Sequence, residues 1–260
     1  MAQTMLVMVG REVVEVTMPG PEASALGALP WGRFDDLCTP AYWHGQVRQA
    51  MLLGHYRKIR LGDDLREEVA ACLLGGYGIP AEVGVAAYRR LRRHGLLRGE
   101  ASAAALEENL AEPLRLGSRI VRYRFARQKA RYLAGCLRAL AAFAEPACDV
   151  ALRDALTRLP GIGLKTASWI VRNHRGSDSV AVLDVHVLRA GRLLGLFGDD
   201  AASLRDYRGS EARFLAFADA IRVPASVLDA VIWSQMRLLA PVLASGTRER
   251  ETAPVSARAA

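Results

Sequence analysis

The most informative stretch of this sequence is Leu159-Pro160-Gly161-Ile162-Gly163-Leu164-Lys165-Thr166-Ala167. A short amphipathic helix is predicted before it, and a second helix is predicted to begin directly after the two glycines. Glycines allow positive φ angles and a close approach of backbone N–H groups, and a helix start offers free N–H groups at its positive end. Gly161, Ile162, Gly163 and Thr166 are therefore predicted to hold a phosphate group, with Ile162 at the tip of the turn. The alternative is an ordinary turn between two helices of a bundle.

Lys165 lies in the first turn of that second predicted helix. The chain has 35 basic residues and only three of them are lysines, so arginine supplies nearly all of the positive charge. A lysine is required where an amine must lose its proton and attack carbon, because a guanidinium group stays protonated. Lys165 is therefore a candidate nucleophile toward a sugar carbon. The alternative is a lysine that only binds phosphate.

A single aspartate ends the apolar run of residues 180–183 and is predicted to open the next helix. This residue, Asp184, suits the first position of a helix because aspartate is among the best N-cap residues. Its carboxylate could also face the amine of Lys165, and we predict that it is the acidic catalytic partner. His186, two residues later, is a candidate phosphate ligand, or a residue that caps and packs.

Residues 159–167 followed by residues 183–187 resemble the helix-hairpin-helix (HhH-GPD) DNA glycosylase superfamily. In that superfamily a lysine at the place of Lys165 resembles the mark of bifunctional glycosylase/lyases. Over residues 64–240 the chain is similar to the type-2 8-oxoguanine DNA glycosylases of archaea and bacteria. The segments that carry this similarity are Arg124-Phe125-x-x-Gln128-Lys129-Ala130, Lys165-Thr166-Ala167-Ser168, Arg172-Asn173, and Leu228-Asp229 with Trp233.

The resemblance implies a mainly α, two-lobed helix-hairpin-helix DNA glycosylase fold with the active-site cleft between the lobes. It implies a base-excision-repair enzyme for double-stranded DNA that removes 8-oxoguanine or another oxidised purine. Lys165 would attack C1′ and β-elimination would then cut the strand. Three alternatives stay open: a glycosylase for a different modified base, a non-catalytic helix-hairpin-helix DNA-binding protein, and an unrelated helical bundle with a basic face.

The residues that would contact bases are predicted less directly. Asp229 and Trp233 are candidates for the base pocket, with the indole for stacking and the carboxylate for a polar contact; the alternative for both is core packing. Tyr77 and Ile79 lie in a loop broken by glycines and are candidates for a wedge that fills the gap left by an extruded base.

Positive charge is concentrated in two segments of a chain whose formal net charge is +8. Residues 115–138 contain eight basic residues and no acidic one, and residues 89–98 contain five arginines. A solvated helix face normally mixes both signs of charge, whereas phosphate contacts need one sign. These segments therefore predict a DNA-facing surface.

Our expectations for cofactors, partners and location depend on three features: cysteine spacing, a signal peptide and an apolar run of membrane length. The four cysteines have neither the spacing of a metal site nor that of an iron–sulfur loop, so we expect no metal and no cofactor. We see no signal peptide and no apolar run of membrane length. The expectation is a monomer that is cytoplasmic, associated with the nucleoid, and without a membrane partner.

The predicted organisation is mainly α with a small N-terminal β-hairpin at residues 4–17. Residues 1–40 form the hairpin and an irregular extension, residues 41–244 the helical glycosylase domain, and residues 245–260 a flexible tail. Helices are predicted over residues 42–57, 81–94, 119–143, 150–158, 164–173, 184–196, 211–221 and 225–239. Two more are predicted, one capped by Asp63 or Asp64 and one that begins at Ser102.

Overall fold

An antiparallel hairpin of strands β1 (Gln3–Val9) and β2 (Glu12–Met18) opens the chain. Gly10 turns the backbone between them with φ +64°, and Val7 pairs with Val14. One face of the hairpin is buried and the other is exposed, as the period-two pattern requires. The predicted N-terminal hairpin is therefore confirmed. The computed structural model describes residues 1–56, 59–76, 78–198 and 206–252, and it describes side chains as far as residue 239.

The connection that follows is irregular but is held by hydrogen bonds. It contains the short strands β3 (Ser24–Leu26) and β4 (Leu29–Pro30) and leads into helix α1 (Pro40–Leu52). The Gln3 amide donates to the carbonyls of Pro19 and Gly32 and fixes this connection to the hairpin. Helix α1 ends earlier than predicted because Gly54, with φ +72°, takes the chain out of the helical path.

The middle of the chain is a helical unit with one short sheet. Its elements are α2 (Leu65–Leu74), α3 (Ala81–Arg93), α4 (Ala103–Ala111), β5 (Leu114–Leu116), β6 (Arg119–Val121), α5 (Ala126–Leu140), α6 (Asp149–Leu156) and α7 (Leu164–Arg175). Asp64 and Ser102 cap α2 and α4 with their side chains, as predicted. Helix α2 is buried on nearly all sides. Leu73 of α2, Leu133 of α5 and Ile170 of α7 lie in the common core of the unit.

The helix predicted over residues 119–143 is wrong in its first part. Strands β5 and β6 pair there as a hairpin, and α5 begins only at Ala126. Gly117 has φ +60°, which suits a tight two-residue turn, and the β-branched pair Ile120-Val121 favours a strand. Turn chemistry therefore overrides the helical pattern at this point.

Three helices complete the chain: α8 (Val185–Leu193), α9 (Tyr207–Ala220) and α10 (Ala225–Thr252). Helix α10 is much longer than predicted, because the backbone is helical from Ser245 to Thr252, where a flexible tail was expected. The arginines and glutamates in that segment are good helix formers. Residues 253–260 lie outside the described residues.

The chain divides into two compact units. Unit 1 comprises the described residues of Met1–Tyr56 and Leu183–Ala260, and unit 2 is Arg57–Val182. In unit 1 the N-terminal hairpin packs on α1, and α8 and α1 both pack on α10. The prediction of a mainly helical fold is confirmed. None of the helices in the described ranges is long and apolar enough to cross a membrane.

Candidate active site and DNA-binding surface

The glycine hairpin of unit 2 leaves the start of α7 open. After α6 the turn closes through the Ile162 amide, which donates to the Leu159 carbonyl at 3.2 Å. Gly161 has φ +75°, a conformation that favours glycine. Gly163 then occupies the N-cap of α7, and no side chain caps this helix. The first N–H groups of α7 therefore have no capping side chain as acceptor, which is the arrangement that binds anions.

The hairpin is packed tightly against α5. A Cβ atom at Gly161 would lie 2.3 Å from Cδ2 of Tyr132, and one at Gly135 would lie 2.9 Å from Cγ of Pro160. The Cys136 thiol donates to the Pro160 carbonyl at 3.3 Å. These contacts fix the turn on helix α5.

Ile162 does not project from the tip of the turn. Its side chain is 4% exposed and belongs to the hydrophobic core of unit 2. Its amide is already bonded within the turn. Ile162 therefore anchors the hairpin from beneath, while Gly161 and Gly163 are exposed at the surface.

Lys165 and Thr166 lie in the first turn of α7, and both are half-buried. Burial lowers the pKa of a second lysine, Lys129, and the positive charge of Lys165 lowers that pKa further. The Lys129 ammonium donates to the Leu73 carbonyl at 2.6 Å and so caps the end of α2. Sequence reasoning did not assign Lys129 to the site. The rarity of lysine, with three among 35 basic residues, was a signal that could have pointed to it.

The far end of α7 is held by a buried carboxylate that the sequence analysis did not single out. Glu68 is fully buried. One of its oxygens accepts from the amides of Leu61 and Gly62 at 2.8 and 2.7 Å, and the other accepts from the Asn173 side chain at 2.7 Å. This network ties α2 to α7, the helix that carries Lys165.

Asp184 is the N-cap of α8 in unit 1, as predicted. One of its oxygens accepts from the amides of His186 and Val187, both at 2.9 Å, and the carboxyl group is half-buried. The Nδ1 atom of His186 is buried and has no hydrogen-bond partner among the described residues. Lys165 belongs to unit 2 and Asp184 to unit 1, and their joint action stays a prediction.

The predicted base-contacting residues have diverse environments. On α10, Asp229 is buried and Trp233 is half-buried, with the Arg237 guanidinium 4.6 Å from the centre of the Trp233 ring. Their role in a base pocket stays a prediction. Ile79 packs in the core of unit 2, so its side chain is not presented as a wedge. Tyr77 lies outside the described residues.

The basic segment of residues 115–138 presents most of its charge to solvent. Seven of its eight basic residues are exposed and only Lys129 is not. On α5, a groove of about 620 Å³ is lined by Phe125, Ala126, Arg127, Gln128 and Arg131. Phe125 precedes the helix with a φ of +65°, a feature that sequence reasoning could not detect because no local signal marks a non-glycine residue for that conformation.

Part of the second basic segment, residues 89–98, has a structural role instead. Arg90 donates to the carbonyls of Asn109, Glu112 and Pro113. Arg92 forms ion pairs with Asp63 and Glu67. These two arginines hold helix α3 in place.

No cluster of three or more potential metal-ligating side chains occurs in the part of the chain that the structure describes. The four cysteines are free; Cys38, Cys72 and Cys136 are buried and Cys148 is exposed.

Comparison with known proteins places the chain among DNA glycosylases. A family model described as 8-oxoguanine DNA glycosylase matches residues 53–223, more than half of the chain. The 8-oxoguanine DNA glycosylase of Methanocaldococcus jannaschii is 26% identical, with 65% of this chain and 76% of that chain covered and a TM-score of 0.52. A second structure is that of the M. jannaschii 8-oxoguanine glycosylase/lyase in complex with a 15mer DNA containing 8-oxoguanine. It is 27% identical, with 65% of this chain and 78% of that chain covered and a TM-score of 0.52.

The 8-oxoguanine DNA glycosylase of Thermotoga maritima is 23% identical over 75% of this chain and 86% of that chain, with a TM-score of 0.51, and supports the fold. No curated protein matches the chain. The match of the family model extends across the hairpin, Lys165 and Asp184. The chain therefore belongs to the helix-hairpin-helix 8-oxoguanine DNA glycosylase family.

Proposed function

We propose that this protein is a bifunctional DNA glycosylase and AP lyase that excises 8-oxoguanine from double-stranded DNA with Lys165 as nucleophile. The observation that carries the proposal is the open start of α7, which places an amine in the first turn of an uncapped helix directly after the glycine hairpin. Family membership supports the reaction class, and the DNA-bound relative supports the substrate class.

The proposed chemistry begins with extrusion of the damaged nucleotide, because C1′ cannot be reached inside the base stack. The neutral amine of Lys165 attacks C1′ while the bond from C1′ to the purine nitrogen breaks. The electron pair of that bond leaves with the base, which takes up a proton. Loss of an amine proton and opening of the bond from C1′ to O4′ then give a Schiff base between Lys165 and the sugar.

Strand cleavage follows from the Schiff base. Removal of a C2′ proton forms a double bond between C2′ and C3′, and the phosphate at C3′ leaves with the electron pair of its C–O bond. Water then hydrolyses the Schiff base and restores Lys165. These steps use protein side chains and water, and the proposal includes no cofactor.

Asp184 acts in this scheme on the charge that develops as the base leaves. A carboxylate beside the sugar stabilises positive charge at C1′. Its N-cap bonds to the amides of His186 and Val187 hold one oxygen in place, so the carboxylate has a defined direction before DNA binds. The proposal requires Lys165 and Asp184 to act on the same nucleotide.

Recognition of DNA is assigned to the hairpin and to unit 1. Gly161, Gly163 and Thr166 hold a backbone phosphate, with His186 as a further phosphate contact, and Ile162 supports the turn from the core. Trp233 stacks on the extruded base and Asp229 makes a polar contact to it. We further propose a monomeric protein that works in the cytoplasm on the nucleoid.

Borohydride trapping tests the nucleophile. A duplex containing 8-oxoguanine should give a covalent protein–DNA adduct with the wild type and none with Lys165→Gln, while Lys129→Gln still gives an adduct because the neighbouring amine is not the attacking one. An adduct of undiminished yield in Lys165→Gln would disprove the mechanism. A panel of duplexes with other oxidised, deaminated and alkylated bases tests the substrate in the same assay.

Asp184→Asn tests the acidic partner without removing the helix cap, since asparagine caps as well as aspartate. We expect single-turnover base release to fall by about 100-fold or more, with a change in the free energy of unfolding below about 1 kcal/mol. Equal base release in the variant would contradict the assigned role.

A further inference from the structure

The N-terminal hairpin of β1 and β2 carries apolar side chains on both of its faces. On the face toward α1, Val7 and Val16 are buried. On the opposite face Leu6, Met8 and Val13 are 65%, 61% and 56% exposed. A sheet with one face in water normally alternates apolar and polar residues, whereas a sheet covered on both faces does not. The composition of this hairpin is therefore typical of a sheet whose second face is also covered.

The three exposed apolar side chains, Leu6, Met8 and Val13, form an outer stripe. Met8 pairs directly with Val13, and Leu6 pairs with Glu15 on the other strand. Residues that pair across two strands have their side chains on the same face, so the outer stripe is contiguous and Glu15 lies beside it. A contiguous apolar patch on a protein surface is often functional.

The outer edge of β1 is open as well. The hairpin is a sheet of two strands, and outside its own ladder the described residues form no backbone–backbone hydrogen bond with residues 3–18. The two-residue turn closes on Val9 and Glu12. The alternation of an antiparallel ladder therefore directs the N–H and C=O groups of Leu6 and Met8 away from β2. Edge strands are usually protected by charged residues or proline, but β1 contains neither.

These features select one kind of partner. DNA does not fit, because residues 1–18 contain two acidic residues and one basic residue and expose an apolar stripe. A second copy of the chain does not fit either, because a stable interface buries ~800 Å² per partner and three side chains of this size offer on the order of 300 Å². An extended strand fits, because it pairs with an open edge through its backbone and covers the neighbouring face with alternate side chains.

We propose that the N-terminal hairpin is a docking site for an extended segment of a partner protein. The segment adds a strand at the outer edge of β1, its apolar side chains pack on the outer stripe, and a lysine or arginine pairs with Glu15. The hairpin lies before residues 53–223, which the family model matches. The partner is therefore bound without occupying the residues assigned to catalysis, and the inference does not depend on the substrate of the enzyme.

Selection from a displayed library of random dodecapeptides, with the full-length protein as the target, tests the docking site. Enriched peptides should alternate apolar and polar residues and contain a lysine or arginine. A synthetic copy of the most enriched peptide should bind Leu6→Thr/Met8→Thr about tenfold or more weakly than the wild type in fluorescence anisotropy. Threonine retains the strand propensity of these exposed positions, so the midpoint of thermal unfolding should stay close to that of the wild type.

Two single variants test the charge beside the outer stripe. Glu15→Gln should weaken binding of the same peptide about threefold, as expected for an exposed ion pair. Glu22→Gln removes an exposed carboxylate outside the hairpin and serves as the matched control, with wild-type affinity expected.

Amide hydrogen exchange distinguishes an added strand from contact with the face alone. The amides of Leu6 and Met8 should become protected when the peptide binds, and unchanged exchange at both would overturn the proposal. So would a selection that yields no peptide able to discriminate the wild type from Leu6→Thr/Met8→Thr. Dimerisation of the wild type in sedimentation velocity that this double variant abolishes would assign the stripe to a second copy and overturn the proposal too.

Discussion

At the scale of single residues, the two hairpin glycines have different requirements. Gly161 has φ +75° and lies against the Tyr132 ring, whereas Gly163 has φ −92° and would place a Cβ atom in open space. Gly161 is therefore needed for the shape of the turn. A glycine is required at position 163 only if a ligand binds the first N–H groups of α7, because a side chain there would occupy the space of that ligand.

This difference gives a paired prediction. Gly161→Ala should lower the free energy of unfolding by about 2–4 kcal/mol, from backbone strain and from the clash with Tyr132. Gly163→Ala should change it by less than about 1 kcal/mol yet weaken binding to duplex DNA, because the new methyl group occupies the phosphate site. Urea unfolding and fluorescence anisotropy measure the two effects. Unchanged DNA affinity in Gly163→Ala would argue against phosphate binding at this helix start.

At the scale of elements, a buried histidine joins two helices of unit 1. His44 on α1 donates from Nδ1 to the carbonyl of Ile221, at the end of α9, at 2.7 Å. Burial is the main cause that lowers its pKa, and the charges of Arg48 and Arg222 lower it further. The folded protein therefore binds a proton at His44 less readily than the unfolded chain.

The sign of the pH dependence follows from this lowered pKa. At a pH above ~6.5, the pKa of histidine in the unfolded chain, His44 is neutral in both the folded and the unfolded state. Below that pH the unfolded chain takes up the proton first. The free energy of unfolding therefore falls as the pH decreases toward the pKa of His44 in the folded protein. The loss is about 1.4 kcal/mol for each unit by which the pKa is lowered. His44→Asn retains a donor and should lose this part of the acid dependence between pH 7 and pH 5, measured by urea unfolding. The same slope in both proteins would contradict the assignment.

At the scale of the whole molecule, charge is divided between structural and exposed arginines. Arg90 and Arg92 hold α3 through carbonyls and carboxylates. Arg127 and Arg131 are exposed and belong to a groove without acidic residues. A net charge of +8 attracts DNA in general, but only exposed arginines can release counterions from phosphates.

The salt dependence of DNA affinity measures how many of the exposed arginines contact phosphates. Each phosphate contact contributes about 0.9 to the slope of log affinity against log salt concentration. The double variant Arg127→Gln/Arg131→Gln should therefore lower the slope by about two. Arg11→Gln, in the turn of the N-terminal hairpin, lowers the net charge by one while retaining Arg127 and Arg131, and it is the control for an effect of net charge alone. Equal slopes for the wild type and the double variant would remove both arginines from the DNA contact.

Local patterns in the sequence determined much of what this protein is. The helical periodicity, the caps at Asp64, Ser102 and Asp184, and the glycine turn before Lys165 are all readable because each depends on residues a few positions apart. The same segments supported the resemblance that the family model confirms.

Only the tertiary structure decided which of these residues face inward. Ile162 and Ile79 lie in the core, Glu68 bonds to Asn173 across 105 positions, and Lys129 reaches the end of α2. Burial and hydrogen bonding between distant segments depend on how the helices pack, and no short window of sequence contains both partners. The ring of Phe125 likewise lies beside Gly78, a residue that is distant from it in the sequence.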